Sequence, residues 1–323
     1  MNEGKEKKIL KERKENLQNK GSMKIPGENV KTLISSLSTM SSLTNLSTTE
    51  KNYYLLNYFW CEDHEKKECH GEYINEIFEN LINDEKQIKI RPKSDFMKNQ
   101  KEINSKMREI LVDWIIDIHY KFKLNIRTLY LTVYIIDAYL SYTEIQRAKF
   151  QLLGIAALYL GAKIEDIQPP SLDNLIYVTD YAYTKDELLK MEQNILSVLD
   201  YNLVFPLSYD FYPIFAKLLN FNEEEYFLGQ YFLEYFLLNY QSSLISGSVI
   251  AITCAYIVTK ITNKDDYEIL YDKNLNSKRF SKKEIKDFAK DICLFISATQ
   301  NSNPSIISKY SQDKFKCVAK FLH

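Results

Sequence analysis

Breakers are scarce in this chain: 8 glycines and 7 prolines are spread over 323 residues. A fold of many short strands draws on both residue types for its frequent turns. So few of them confine the chain to long helices joined by short connections. The apolar spacing agrees. In 101–124, Ile103, Met107, Ile110, Leu111, Trp114, Ile115, Ile118 and Phe122 recur at steps of three and four, which is an amphipathic helix. TLYLTVYIIDAYL (128–140) is apolar nearly all round and predicts a buried central helix.

Further helices are predicted from near Glu72 until Pro92 forbids one, then over 146–166, in SLDNLIYVTD after Pro169-Pro170, and over 184–201. Thr184 stands three residues before Glu187, a capping box. After Pro206 a second set is predicted at 208–219, 223–240, 246–263, 281–299 and 304–320. Ser281 with Glu284, and Asn303-Pro304, mark two of its starts. Segments 150–163 and 246–260 are both rich in small residues and both end in Lys. Each can be the hub of a bundle, so a repeated five-helix unit is expected. The expected organisation is all-α: a disordered regulatory tail over 1–70, an N-terminal helix and linker over 71–100, one five-helix domain over 101–206 and a second over 207–323.

Composition excludes several function classes. The formal net charge is −1, which gives no general attraction to nucleic acid or to an anionic membrane. The N-terminus lacks an apolar signal core, and no uncharged apolar run is long enough to span a bilayer. Five cysteines, mostly in apolar runs, fit free thiols in a reducing compartment. Cys61, His64, Cys69 and His70 are possible metal ligands, but their spacing suits zinc poorly, so no metal and no cofactor are expected. No Gly-rich phosphate loop occurs, and the other histidines are only His119 and His323, so no catalytic constellation is expected.

One carboxylate constrains the packing. Asp137 sits inside the near-wholly apolar helix, where an unpaired charge costs several kcal/mol, so a buried cation or several donors must meet it. Arg108 projects from the preceding helix and is able to pair with it bidentately. By pattern alone, Lys163 and Glu192 read as solvated helix ends, and the Met107, Ile110, Leu111, Trp114 ridge reads as core.

MREILVDWIIDIHYKF (107–122) resembles the opening of the cyclin box. The similarity continues through LYLTVYIIDAYLS, FQLLGIAALYLGAKIEDIQPP and YTKDELLKMEQNILSVLDYNL and is densest over 97–206. KFKLNIRTLYLTVYIID looks like the B-type subgroup, so a mitotic, B-type or A/B-like cyclin is the family implied. Arg108, Asp137, Leu152, Lys163 and Glu192 match positions that cyclins characteristically keep.

The resemblance implies two tandem cyclin folds in a non-catalytic subunit that binds and activates a cyclin-dependent protein kinase, with G2/M control as its setting. It implies that Arg108 and Asp137 form a structural ion pair. Lys163 and Glu192 would bind backbone groups around the kinase's regulatory helix, framed by Ile164, Leu188, Ile195, Leu196 and Tyr201. Binding would favour the helix's active position. Met107, Ile110, Leu111, Trp114, Asp117 and Gln151 would dock substrate or inhibitor peptides carrying a basic residue followed by a hydrophobic one. The chain departs from the family at Arg127, where Glu is usual, at Ala138-Tyr139, and at Ile164 and Asp166 in Lys163-Ile164-Glu165-Asp166, where Lys-Phe/Tyr-Glu-Glu is usual; the last alters one interface side chain.

In the tail, Lys14-Glu15-Asn16 matches the degron read by the anaphase-promoting ubiquitin ligase, a match that chance also supplies in a Lys/Glu/Asn-rich segment. The basic run 5–14 reads equally as a nuclear import signal or a solvated charged segment; nucleus and cytoplasm are the expected compartments. Two rival readings are a transcription-type cyclin or other cyclin-fold transcription factor, and an α-helical enzyme. The first calls for basic DNA-facing helices or a zinc ribbon, the second for a pocket of titratable residues.

Overall fold

The computed structural model describes residues 74–88, 91–93, 95–264, 281–299 and 304–321. These form eleven α-helices and several 3-10 turns, with no strand among the described residues. α1 (Ile74–Gln87) precedes a first five-helix unit: α2 (Ser105–Phe122), α3 (Ile126–Tyr142), α4 (Phe150–Glu165), α5 (Leu172–Tyr177) and α6 (Lys185–Val198). The second unit is α7 (Ser208–Leu218), α8 (Glu223–Leu238), α9 (Gly247–Ile261), α10 (Lys282–Thr299) and α11 (Pro304–Tyr310).

Side-chain oxygens fix the helix starts. Asn104 accepts Met107 N–H at 3.0 Å, and the Thr184–Glu187 capping box forms as its spacing predicts. A second box, Asn222 with Glu225, starts α8. Each such cap stabilises by about 1 kcal/mol. The predicted starts at Ser281 and Pro304 also hold: Glu284 N–H reaches Ser281 Oγ at 3.4 Å, and α11 opens on Pro304.

The two small-residue helices are the hubs. α4 packs against α2, α3 and α6, while α9 packs against α7, α8 and α10. Small residues set the approach. A Cβ on Gly154 of α4 would lie 2.8 Å from Leu111 Cδ1, and a Cβ on Gly229 of α8 would lie 1.8 Å from Tyr212 Oη. At each glycine an added methyl would have to displace the facing side chain.

The last predicted helix, 304–320, is corrected. α11 stops at Tyr310, and 3-10 turns follow at Asp313–Phe315 and Val318–Phe321. Lys316 and Cys317 adopt left-handed backbone (φ 56° and 54°), which no α-helix continues through.

The units meet along a polar seam within an apolar contact. Arg108 of α2 donates to Leu237 O (2.9 Å) and Leu238 O (3.1 Å) at the end of α8. Asp113 accepts from the Ser305 hydroxyl at 2.8 Å. α1 comes first among the described residues yet lies on the second unit. Phe78 packs edge-on to Phe211 and Phe215, and Glu85 accepts Ser248 N–H (2.9 Å) and hydroxyl (2.5 Å) at the start of α9.

Residues 1–70 lie outside the described residues, and with them Lys14, Glu15 and Asn16, the basic run, and the Cys61–His70 cluster. Among the described residues, Cys254, Cys293 and Cys317 are free thiols, and no helix is long and apolar enough to cross a membrane.

Candidate partner-binding site

Lys163 closes α4 and Glu192 stands midway along α6, and the packing of these helices brings the two side chains together. Lys163 Nζ donates to Glu192 Oε1 at 2.5 Å and lies 4.2 Å from the centre of the Tyr159 ring. The lysine side chain is 38% exposed and the glutamate 9%, so the pair is half-submerged with its ammonium toward solvent. An ammonium has three donors and a carboxylate several acceptor positions. After their mutual bond, both donor and acceptor capacity remain at one point of the surface.

Of the apolar residues expected to frame the pair, Ile164 is exposed, Leu196 half-buried and Tyr201 73% exposed. Tyr201 is held beyond the end of α6 by consecutive left-handed residues, Asp200 and Tyr201 (φ 49° and 55°), and its N–H bonds Leu196 O at 2.9 Å. Such backbone costs roughly 1 kcal/mol or more per residue outside glycine.

Two expected surface residues are corrected. Leu188 and Ile195 have no exposed area. They lie on the face of α6 that packs against α4, so they support the surface from beneath and do not form it. Two apolar residues that sequence reasoning passed over are exposed: Ile167, fully exposed beyond α4, and Val204, 79% exposed in the linker. Their signal was an apolar residue outside any helical period, two residues before Pro169 in one case and before Pro206 in the other.

The α2 ridge divides in the same way. Ile110 is 59% exposed, and Met107, Trp114, Asp117 and Gln151 are half-buried. Leu111 is corrected to core: it is buried against Gly154 and forms the floor under the ridge. Lys121 pairs with Asp117 at 2.6 Å.

Arg108 and Asp137 form the expected pair: Nε to Oδ1 and Nη2 to Oδ2, each at 2.6 Å, fully buried. Burial pushes the Asp137 carboxyl above its ordinary value, and the guanidinium pulls it back. Through Arg108 the pair faces the second unit, at the end of α8.

The departures at Arg127 and Asp166 are both satisfied within the fold. Arg127 pairs with Glu165 and with Asp210 (2.7 Å) and donates to Phe205 O at 2.9 Å. Asp166 accepts from Asn125 N–H (2.7 Å) and the Thr128 hydroxyl (2.6 Å). Glu165 and Asp166 are thereby drawn into the fold, leaving Lys163 and Ile164 as the outward residues of that turn.

Residues 76–204 match the family model described as the cyclin N-terminal domain, and 206–323 match the cyclin C-terminal domain. The chain is 34% identical over 260 residues to the putative cyclin-A3-1 of Arabidopsis thaliana, covering 77% of this chain and 71% of that protein. It is 34% identical over 259 residues to the G2/mitotic-specific cyclin-A of Hydra viridissima, covering 78% of this chain and 60% of that protein. It is 40% identical over 185 residues to cyclin-B1-5 of Oryza sativa subsp. japonica, covering 57% of this chain and only 40% of that protein.

Proposed function

This chain belongs to the cyclin family, and from that premise we propose that it is a non-catalytic regulatory subunit that binds and activates a cyclin-dependent serine/threonine kinase in G2/M. The observation that carries the reading is the half-submerged Lys163–Glu192 pair framed by Ile164, Leu196 and Tyr201. A helix of another protein offers unpaired amides at one end and unpaired carbonyls at the other. A cation and a carboxylate bonded to each other can receive both kinds of group without a large desolvation cost, since each already compensates the other. The apolar frame supplies the non-directional part of the affinity.

Binding the regulatory helix better in its active than in its inactive position shifts the kinase toward the aligned catalytic ion pair. The A-type and B-type names among the relatives, one of them G2/mitotic-specific, support the mitotic setting. The ridge of Met107, Ile110 and Trp114 is the docking site for substrate or inhibitor peptides, and Lys14-Glu15-Asn16 is the degron for the anaphase-promoting ligase.

The test is co-purification with candidate cyclin-dependent kinases followed by a phosphorylation assay. The proposal expects a stable complex and kinase activity well above that of the kinase alone. A chain that binds no such kinase and stimulates none contradicts it. Within the complex, Trp114→Ala with Met107→Ala should spare activity on a short generic peptide and weaken phosphorylation of substrates carrying a docking motif. Equal loss on both would remove the docking role.

A further inference from the structure

The docking reading depends on an apolar ridge rimmed by a carboxylate, and that carboxylate is already engaged. Lys121 Nζ lies 2.6 Å from Asp117 Oδ2. Lys121 stands one helical turn beyond Asp117 and two turns beyond Trp114, in line with the ridge. The other carboxylates of this helix are committed elsewhere. Glu109 is buried and takes Lys106 at 2.8 Å, while Asp113 accepts the N–H and hydroxyl of Ser305 on the second unit.

The charge that α2 presents along the ridge is therefore balanced. A guanidinium or ammonium arriving at Asp117 meets Lys121 beside it and gains little. A neutral polar or acidic group finds the remaining donors of the Lys121 ammonium, whose side chain is 67% exposed.

We propose that Lys121 is a specificity-determining residue of the docking groove. It makes the groove select peptides by the apolar residue seated on Ile110 and Trp114, and removes the advantage of a basic residue beside it. The inference rests on the docking reading above and narrows its ligand class to apolar-led peptides with a neutral or acidic neighbour.

The experiment uses the full chain and three fluorescent peptides that differ only at the position preceding the apolar residue: Arg, Gln or Glu. Fluorescence anisotropy gives their affinities for wild type and for Lys121→Gln. For wild type, the Arg and Gln peptides should bind within about twofold of each other, as expected for an exposed, paired carboxylate. In Lys121→Gln the Arg peptide should gain about threefold to fivefold over the Gln peptide, and adding Asp117→Asn should abolish that gain. A wild-type preference for Arg above about tenfold, or a Lys121→Gln effect equal for all three peptides, overturns the inference and leaves the groove intact. If no peptide binds either protein, the docking reading and this inference fall together.

Discussion

The two five-helix units each bury a carboxylate deep within the apolar stretch of their second helix, at the same distance from its first residue, and pair it differently. In the first unit Asp137 of α3 meets Arg108. Both carboxylate oxygens are bonded, and the same guanidinium holds two carbonyls at the end of α8 in the other unit. In the second unit Glu234 of α8 meets Lys309 and, at 2.8 Å, the Tyr310 hydroxyl, all through one oxygen. Its Oε2 has no hydrogen-bond partner among the described residues. A short carboxylate facing a planar fork closes completely and leaves donors to reach across the seam; a longer one facing an ammonium does not. The first pair therefore joins the units, and the second is internal to its own.

The comparison is tested most severely at Arg108. Arg108→Met should cost about 3–5 kcal/mol in chemical denaturation, because it strands a buried carboxylate and two carbonyls. Arg108→Met with Asp137→Leu should recover most of that loss; a double variant as unstable as the single would show that the carbonyl contacts dominate. Lys309→Met should cost less, about 2–3 kcal/mol, since Tyr310 still donates to Glu234. A larger loss than at Arg108 would invert the comparison.

His119 lies on α2 beside the same seam, and its titration gives a third handle. Burial lowers its pKa from about 6.5 to about 4, against a backbone bond to Asn125 O that raises it. A depressed folded pKa means that the neutral ring stabilises the fold above about pH 6.5. That contribution is lost progressively as pH falls from 6.5 towards 4, by up to roughly 3 kcal/mol in all. His119→Gln should flatten this part of the stability profile; an unchanged slope would assign it to other groups. The smallest effect is expected at Arg127, whose side chain keeps 27% exposure. Arg127→Gln should cost about 1 kcal/mol and loosen the linker at Phe205.

What the sequence made legible follows from the range of each interaction. The helices were readable because spacing, caps and the scarcity of glycine and proline are local. Asp137 was readable because a lone charge in an apolar helix demands a partner, and Arg108 was the cation on the neighbouring helix. Glu234 stood in an equally apolar run, YFLEYFLL, and was passed over; its partner lies 75 residues away. Arg127 looked like a simple departure because Glu165 and Asp210, which balance it, lie 38 and 83 residues on. Leu111, Leu188 and Ile195 were assigned to surfaces by resemblance, against a periodicity that reads the Leu111 ridge as core; resemblance places a patch on a helix but not which of its residues a neighbour covers. The last helix was drawn too long because nothing in 311–317 marks the left-handed turn at Lys316 and Cys317. That Lys163 and Glu192 share one surface was legible only through resemblance, since each alone reads as a solvated helix end, and their mutual bond was not foreseen.

The most direct test of the central claim is to exchange the two charges, Lys163→Glu with Glu192→Lys, and measure kinase binding by calorimetry alongside the helical signal. The exchanged pair can still bond internally, so the fold should persist with an unchanged thermal midpoint. The account predicts that kinase binding and activation are lost, because donor and acceptor now face the partner helix in the wrong order. Binding at wild-type affinity by the exchanged chain would contradict it.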